Sequence, residues 1–483
     1  MSDYAFLSAT TLARLIRERE VSSVELLQYY LDRVDQYNED LNSIIVQIRD
    51  EAMDAAKEAD ARLAKGEVNL GPLHGVPMTI KESYDVAGTP TTWGIPEMKD
   101  NIADEDALSV QRMKRAGVVL FGKTNVPLRL SDFQSYNDIY GTTNNPWNKK
   151  LIPGGSSGGS AATLASGMTG IESGSDIGGS IRNPAHFCGV FGHKPTWNLL
   201  PPRGHAMSGI LSPSDLSVIG PLARSADDLE TATLAMAGPD ELMSQGMRLN
   251  LKPLKKNPSE WRVAVWRNDE MAPVDSEVLA AVDRVCETLK SLGAELDYDA
   301  RPEFPAEHHH NVYQQLLQMT MFCRSPDDVY QEAVERANAL DPNDQSMNAL
   351  IIRNQVGRFK DWIVSNEQRT HIRWGWYRFF QDYDFVLAPI MARTAFPHDH
   401  GPMSQRTVIV NGKPRDYFEQ VFWAGIAINA YLPSTVFPSG LASDGLPIGL
   451  QLIGPEYGDL TTIGVAKILE KEGYGFKAPP DYQ

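Results

Sequence analysis

Short apolar runs separated by glycine and proline begin at Gly71 and alternate with a segment of helical periodicity. Val76–Ile80 and Val118–Phe121 are predicted strands, and Ala107–Ala116 between them is a predicted helix. Strands that alternate with helices are typical of proteins in which helices pack against a β-sheet. The sequence therefore predicts an α/β fold.

Long helical segments are predicted on either side of this region. Ser8–Glu20 and Ser22–Tyr37 have the spacing of two amphipathic helices, and Ser22 with Glu25 forms a capping box for the second. We expect residues 1–66 to be a helical lead-in packed on the core and residues 67–483 to form one domain. A stretch rich in aromatic residues around 300–380 is a predicted helical insertion that faces the substrate.

The composition narrows the class of protein. The 483 residues include 45 basic and 62 acidic residues, for a net charge of −17, and no basic run is present, so a nucleic acid is not expected as a partner. Three cysteines cannot form a disulfide framework, which favours a reducing compartment. Without a signal-like start or an apolar stretch near eighteen residues, a soluble cytoplasmic protein away from membranes is expected.

Two loops rich in glycine and serine are the strongest chemical feature. Gly154–Ser160 reads GGSSGGS, and Asp176–Arg182 reads DIGGSIR. Glycine before a serine allows unusual backbone angles, and consecutive N–H groups can then converge on a negative oxygen. An enzyme that transfers acyl groups needs this arrangement beside its nucleophile. A flexible linker is disfavoured because the apolar run Phe187–Phe191 follows closely.

A serine nucleophile needs a base to take its proton. His186 and His193 lie nearest the second loop, but no G-x-S-x-G elbow surrounds Ser180 to position a histidine. Lys81 ends the predicted strand Val76–Ile80, at a strand terminus where active sites of α/β sheets gather. A partly buried lysine can lose its proton near pH 7, so Lys81 is the preferred base.

The segment from Gly71 to Thr196 resembles the amidase signature family, whose members have a lysine after an apolar strand and both of these loops in the same order. The resemblance extends to other segments of the chain, including the C-terminal run Gly445–Gly454. It implies a mixed central β-sheet covered by helices on both faces. Two positions differ from the family pattern: Glu82 replaces the usual aspartate, and Leu128 replaces a common acidic residue.

The resemblance implies a Ser-Ser-Lys triad that hydrolyses an amide through an acyl-serine intermediate. Ser180 is then the nucleophile, Ser156 the proton shuttle that follows a cis peptide bond, and Lys81 the base. The implied donors to the oxyanion are Ile177, Gly178 and Gly179. The supporting residues are Ser157, Asp176 and Arg182, and a pocket is expected around Gly155, Phe133 and Tyr136.

The implied substrate is a small molecule such as an aryl amide, a peptide amide or a carbamate, and neither a metal nor an organic cofactor is expected. Family members are often homodimers, so the resemblance allows a homodimer. A second hypothesis is a glutaminase-like subunit of a tRNA-dependent amidotransferase. The helical insertion, Leu128 and the acidic surface argue against it.

Three local patterns suggest other functions. Gly117–Thr124 matches the P-loop pattern G-x-x-x-x-G-K-T and gives a third hypothesis, nucleotide binding, but a predicted helix precedes it and a strand fills its middle. His308–His310 could suggest a metal site, but adjacent histidines on a helix cannot face one ion, and a solvated helix or loop is expected. Cys188 has apolar neighbours and is a predicted buried structural thiol.

Overall fold

A computed structural model describes residues 4–483 of the chain. The α-helices are α1 (Ala9–Arg17), α2 (Ser23–Leu41), α3 (Arg49–Ala64), α4 (Leu108–Ala116), α5 (Gly158–Ala165), α6 (Arg182–Cys188), α7 (Ala226–Met236), α8 (Ser276–Ser291), α9 (Ala306–Phe322), α10 (Asp327–Asn338), α11 (Met347–Gln355), α12 (Phe359–Phe379), α13 (Val421–Ile428) and α14 (Asp459–Lys471). The strands are β1 (Ile44–Gln47), β2 (Pro77–Lys81), β3 (Val119–Thr124), β4 (Tyr136–Asn137), β5 (Gly141–Thr142), β6 (Glu172–Asp176), β7 (Phe191–Lys194), β8 (Val218–Ala223), β9 (Arg262–Val265), β10 (Glu295–Asp297), β11 (Phe385–Pro389), β12 (Thr407–Val410), β13 (Lys413–Asp416), β14 (Ser434–Leu441) and β15 (Pro447–Ile453).

A mixed eight-stranded sheet forms the centre of the molecule, with the strand order β10-β9-β11-β15-β14-β7-β8-β6. The β10-β9-β11 pairs are parallel and the other neighbours in this sheet are antiparallel. A three-stranded sheet, β1-β3-β2, adjoins it where Met78 forms a parallel bridge with Ile171, just before β6. The predicted mixed α/β architecture is confirmed.

Helices cover both faces of the large sheet. Gln451 of β15 accepts a hydrogen bond from Arg182 of α6 at 2.9 Å. Thr435 of β14, which lies opposite Leu452, donates to Thr462 of α14 at 2.8 Å. Because neighbouring residues of a strand point to opposite faces, α6 and α14 lie on opposite sides of the sheet.

Local sequence signals explain where several elements begin and end. Ser22 and Glu25 form both hydrogen bonds of the predicted capping box at the start of α2. Helix α4 ends at Gly117, which has φ 99°, and a Cβ there would lie 2.6 Å from the Cα of His74. Glycine is therefore required at Gly117 for both its backbone angle and its packing.

The stretch predicted to be a helical insertion contains four helices, α9 to α12. Within residues 4–483, every helix falls short of the length and apolar character needed to cross a bilayer.

Candidate active site

Lys81 lies at the meeting point of β2 and β6. It is the last residue of β2, its side chain is fully buried, and the parallel bridge between Met78 and Ile171 aligns the ends of the two strands. The Lys81 Nζ donates hydrogen bonds to three serine hydroxyls, as three N–H bonds of an ammonium group would allow. These are Ser156 at 2.6 Å, Ser157 at 3.0 Å and Ser175 at 2.9 Å.

Burial changes the acidity of this amine. Loss of solvation lowers the pKa of Lys81 from 10.5 to about 7, although the carboxylates of Asp176, Glu172 and Glu82 oppose the shift. The neutral amine is therefore well populated near pH 7, and Lys81 can accept a proton there.

The peptide bond between Gly155 and Ser156 is cis, as the resemblance implied. Asn183 of α6 holds this peptide from both sides: its Oδ1 accepts from the Gly155 N–H at 3.0 Å and its Nδ2 donates to the Gly155 carbonyl at 2.6 Å. A Cβ on Gly155 would lie 2.3 Å from the carbonyl oxygen of Asp132. Close packing of the loop therefore explains why position 155 is a glycine. In this packed loop the Ser156 side chain points toward Lys81.

Ser180 lies on the loop between β6 and α6. Its carbonyl accepts a hydrogen bond from the Ser157 N–H at 3.1 Å, which ties the two glycine-rich loops together. The Ser180 hydroxyl makes no hydrogen bond within the part of the chain that the structure describes. Ser156 and Ser180 line the same cavity.

A buried ion pair supports the Ser180 loop. The carboxylate of Asp176 accepts two hydrogen bonds from the Arg182 guanidinium, each of 3.0 Å, and both side chains are fully buried. Burial raises the pKa of Asp176, but Arg182, Lys194 and the Gly179 N–H outweigh it and hold that pKa below its usual value. Asp176 is therefore ionised at neutral pH and fixes both ends of the loop.

The loop also presents free N–H groups. The Gly179 N–H donates to the Asp176 Oδ1 at 2.8 Å. Among residues 4–483, the N–H groups of Ile177, Gly178 and Ser180 have no hydrogen-bond partner. Three N–H groups within one short loop are thus available to a negative oxygen beside Ser180.

A cavity of about 630 Å³ lies next to these serines. One wall of the cavity comes from the predicted insertion. It consists of the C-terminal half of α9 and the segments around α10 to α12. Besides the serines, the lining is mainly apolar and includes Trp93, Leu130, Met207, Ile210, Leu211, Met319, Met321, Phe359 and Trp362.

The three predicted pocket residues, Gly155 among them, do not line this cavity. Phe133 is buried in the core, with its ring 5.4 Å from that of Tyr417. Tyr136 stacks on His400 at 3.8 Å, and its hydroxyl accepts from Arg406 at 2.8 Å. The side chains of Phe133 and Tyr136 therefore pack against other residues outside the cavity. The nearby residues 129–131 line the cavity instead.

Three contacts at the site were missed by the sequence analysis. Ser175 accepts from Lys81, Asn183 holds the cis peptide, and the Tyr313 hydroxyl donates to the Ile177 carbonyl at 2.8 Å. Ser175 and Asn183 stand beside the DIGGSIR motif, so their proximity was a usable signal. No local signal pointed to Tyr313, which lies on α9 far along the chain.

The P-loop-like segment does not have P-loop geometry. Helix α4 precedes Gly117, and β3 continues through Lys123 to Thr124. The Lys123 Nζ is buried and donates to the Pro90 carbonyl and to Thr91 Oγ1. The argument against a phosphate-binding loop is therefore confirmed.

Glu82, one of the two departures from the family pattern, accepts the backbone N–H groups of Thr92 and Trp93. Glu82 therefore anchors the loop that contains Trp93, and Trp93 lines the cavity.

The other local patterns have structural explanations. The thiol of Cys188 is buried and burial raises its pKa, as predicted for a structural cysteine.

The three histidines lie on α9. His308 is exposed, but His309 and His310 are buried, so the prediction of a solvated segment was wrong for these two residues. They pack against aromatic rings, among them Phe304 and Phe422. Within residues 4–483, no group of three His, Cys, Asp or Glu side chains is arranged to hold a metal ion.

Known proteins resemble this chain over nearly its whole length. The amidase family model matches residues 25–463. An indoleacetamide hydrolase from Bradyrhizobium diazoefficiens is 34% identical over 475 residues, covering 96% of this chain and 86% of that protein. One subunit of the glutamyl-tRNA(Gln) amidotransferase from Anaeromyxobacter sp. is 31% identical over 488 residues, covering 96% of both chains.

A solved structure extends the likeness to three dimensions. It belongs to an inhibitor-bound complex described as revealing the evolutionary origins of an s-triazine catabolic enzyme. Its TM-score is 0.81 at 27% identity, covering 97% of this chain and 99% of that one. The chain belongs to the amidase signature family and is an enzyme that hydrolyses amide C–N bonds.

Proposed function

We propose that this enzyme cleaves its amide substrate with Ser180 as nucleophile, Ser156 as proton shuttle and Lys81 as base. The Ser180 oxygen bonds to the carbonyl carbon while its proton passes to Ser156 and the proton of Ser156 passes to Lys81. As the C–N bond breaks, the same relay returns a proton to the departing amine. Water then attacks the acyl-serine by the reverse path and releases the acid.

The observation that best supports this proposal is the contact of 2.6 Å between the Lys81 Nζ and the Ser156 hydroxyl. A pKa of about 7 allows the Lys81 amine to exchange a proton with that hydroxyl during turnover. Ser180 lines the same cavity, and its hydroxyl has no competing partner within residues 4–483.

We assign stabilisation of the oxyanion to the N–H groups of Ile177, Gly178 and Gly179. The Gly179 N–H already donates to Asp176 and would have to turn part of its hydrogen bond toward the oxyanion. The Ser180 N–H has no partner within residues 4–483, so we add Ser180 as a further donor. Each preorganised donor is worth about 2.7 to 4 kcal/mol of transition-state stabilisation. Ser157, Asp176 and Arg182 act by fixing the loops.

The apolar lining supports substrates with an aryl or alkyl group next to the scissile bond. Amides of this kind are the first choice, and carbamates follow because their carbonyl carbon accepts the same nucleophile.

Replacement of the nucleophile tests the assignment. Ser180→Ala should abolish anilide hydrolysis and labelling by a fluorophosphonate probe, because the reacting oxygen is gone. Ser217→Ala is the matched control, since Ser217 lines the same cavity outside both glycine-rich loops. Labelling of Ser180→Ala at the wild-type rate would refute Ser180 as nucleophile.

The amidotransferase relative supports a second candidate, a subunit that supplies ammonia to a partner. Glutamine and an anilide should be compared as substrates of the purified chain. This second function would be favoured if the chain hydrolysed glutamine but not the anilide, and if the rate of glutamine hydrolysis rose when a co-purifying subunit was added.

A further inference from the structure

The charged side chains of the catalytic cavity are biased toward one sign. Four arginines line it, and the only carboxylate among its described lining residues is Asp215. The whole chain has a net charge of −17, so this positive bias is local. The arginines are Arg129, Arg203, Arg324 and Arg358.

The carboxylate of Asp215 is already paired within the protein. Its carboxylate accepts from the buried Arg369 at 2.7 Å, from the Tyr431 hydroxyl at 2.6 Å and from the Trp362 indole at 3.2 Å. It therefore offers little charge to a ligand, and it does not cancel the cavity arginines.

Two of the four arginines have their own carboxylates. Arg203 pairs with Glu241 at 2.9 Å, and Arg358 pairs with Asp361 at 2.9 Å. Their positive charges are locally balanced. His205, which also lines the cavity, adds no charge near pH 7 because burial and the charge of Lys81 lower its pKa to about 3.

The other two arginines remain unbalanced. Arg324 donates only to the neutral hydroxyl of Ser212, at 3.0 Å. Within residues 4–483, neither Arg129 nor Arg324 has a carboxylate within ion-pair distance. The backbone N–H of Arg129 donates to the Trp93 carbonyl at 2.8 Å, which fixes its Cα at the cavity wall.

From this imbalance we propose that the substrate is an amide with a carboxylate on a part away from the scissile bond, attracted by Arg129 and Arg324. A planar guanidinium with no carboxylate partner in the protein matches a substrate carboxylate in charge and in the geometry of its donors. The apolar lining contacts the rest of the substrate. The proposal rests on the proposed function, since it concerns the substrate of the same site.

Pairs of substrates that differ only in charge test the proposal. For a charge on the amine side, 4-acetamidobenzoate is compared with 4-acetylacetanilide; for the acyl side, succinanilate is compared with levulinanilide. In each pair an acetyl group replaces the carboxylate at nearly constant shape. We expect kcat/KM to favour the carboxylate by about tenfold or more in at least one pair, and we expect this preference to shrink as salt is added.

Variants then assign the effect. Arg129→Gln and Arg324→Gln should each reduce the charged-to-neutral ratio of kcat/KM by about two- to fivefold, as expected for losing one exposed charge contact. Arg203→Gln is the matched control, because Arg203 lines the same cavity but is paired with Glu241. It should leave the ratio unchanged.

The outcomes separate this inference from the proposed function. Cleavage of the neutral anilides with no preference for either carboxylate would overturn the inference and leave the triad intact. An equal effect of all three arginine variants on the ratio would also overturn it. No cleavage of any anilide, together with no labelling of Ser180, would instead refute the proposed function.

Discussion

Among residues 4–483, three lysines are buried, and their contacts distinguish them. Burial lowers the pKa of Lys81 to about 7, of Lys194 to about 7 and of Lys123 to about 8. Lys194 donates to the carbonyl of Pro195 at 2.7 Å, and Lys123 donates to the carbonyl of Pro90 and to Thr91. Only Lys81 donates to hydroxyls of the glycine-rich loops, so burial supplies an amine of lowered pKa and position decides its chemistry.

The pKa of Lys81 predicts the pH dependence of catalysis. The base is active when neutral, so kcat/KM should rise as the pH increases through about 7 and then level off. Initial rates with an anilide between pH 5 and 9 measure this. A flat profile over that range would contradict the role of Lys81.

Removing the amine should have a large effect. Lys81→Ala should lower kcat at least about a hundredfold, the usual scale of general-base catalysis, while circular dichroism shows a retained fold. Hydrolysis at the wild-type rate would exclude Lys81 as base.

At the scale of elements, the site is the junction of two strand ends and two loops. Strands β2 and β6 end side by side, and the loops that follow Pro153 and Asp176 meet through the Ser157 to Ser180 hydrogen bond. Glycines allow these backbones to approach closely. Gly155 is the clearest case, because the segment that contains Asp132 and Gln134 leaves no room for a Cβ.

Gly155→Ala should therefore damage both stability and activity. The nearest atoms belong to backbone, which cannot move aside cheaply, and overpacking of this kind costs roughly 1 to 3 kcal/mol. Urea denaturation and anilide turnover measure the two effects. Gly246→Ala is the control, since a Cβ at Gly246 meets nothing within 4 Å. Equal stability of the two variants would show that the loop can relax.

At the scale of the whole molecule, the helices inserted before β11 complete the site. Helix α9 brings Tyr313 to the Ile177 carbonyl, and the same helix contributes Met319 to the cavity. The ring of Tyr313 packs against Gly425 of α13, where a Cβ would lie 2.5 Å from it. The insertion thus contacts the loop that carries Ser180 and also lines the cavity.

Tyr313→Phe should lower kcat by up to about fivefold, because one hydrogen bond that orients the loop contributes roughly 1 kcal/mol. Tyr377→Phe on the exposed face of α12 should have no effect, since Tyr377 is 58% exposed. Steady-state kinetics on both variants provide the measurement. If kcat of Tyr313→Phe equals the wild-type value, the insertion does not orient the loop.

The sequence by itself determined the local elements, the family and the two glycine-rich loops. Periodicity, capping residues and glycine patterns are local, so the capping box at Ser22 and the strand before Lys81 could be predicted accurately. The tertiary structure alone decided which distant residues share the cavity. Tyr313 reaches Ile177 across 136 positions, and Arg129 and Arg324 face one space although they lie far apart in the chain. Phe133 and Tyr136 show the converse, because nearness in sequence to a cavity loop does not fix which way a side chain points. Contacts between remote segments have no periodic signal in a single sequence, so it does not show which residues meet at the site.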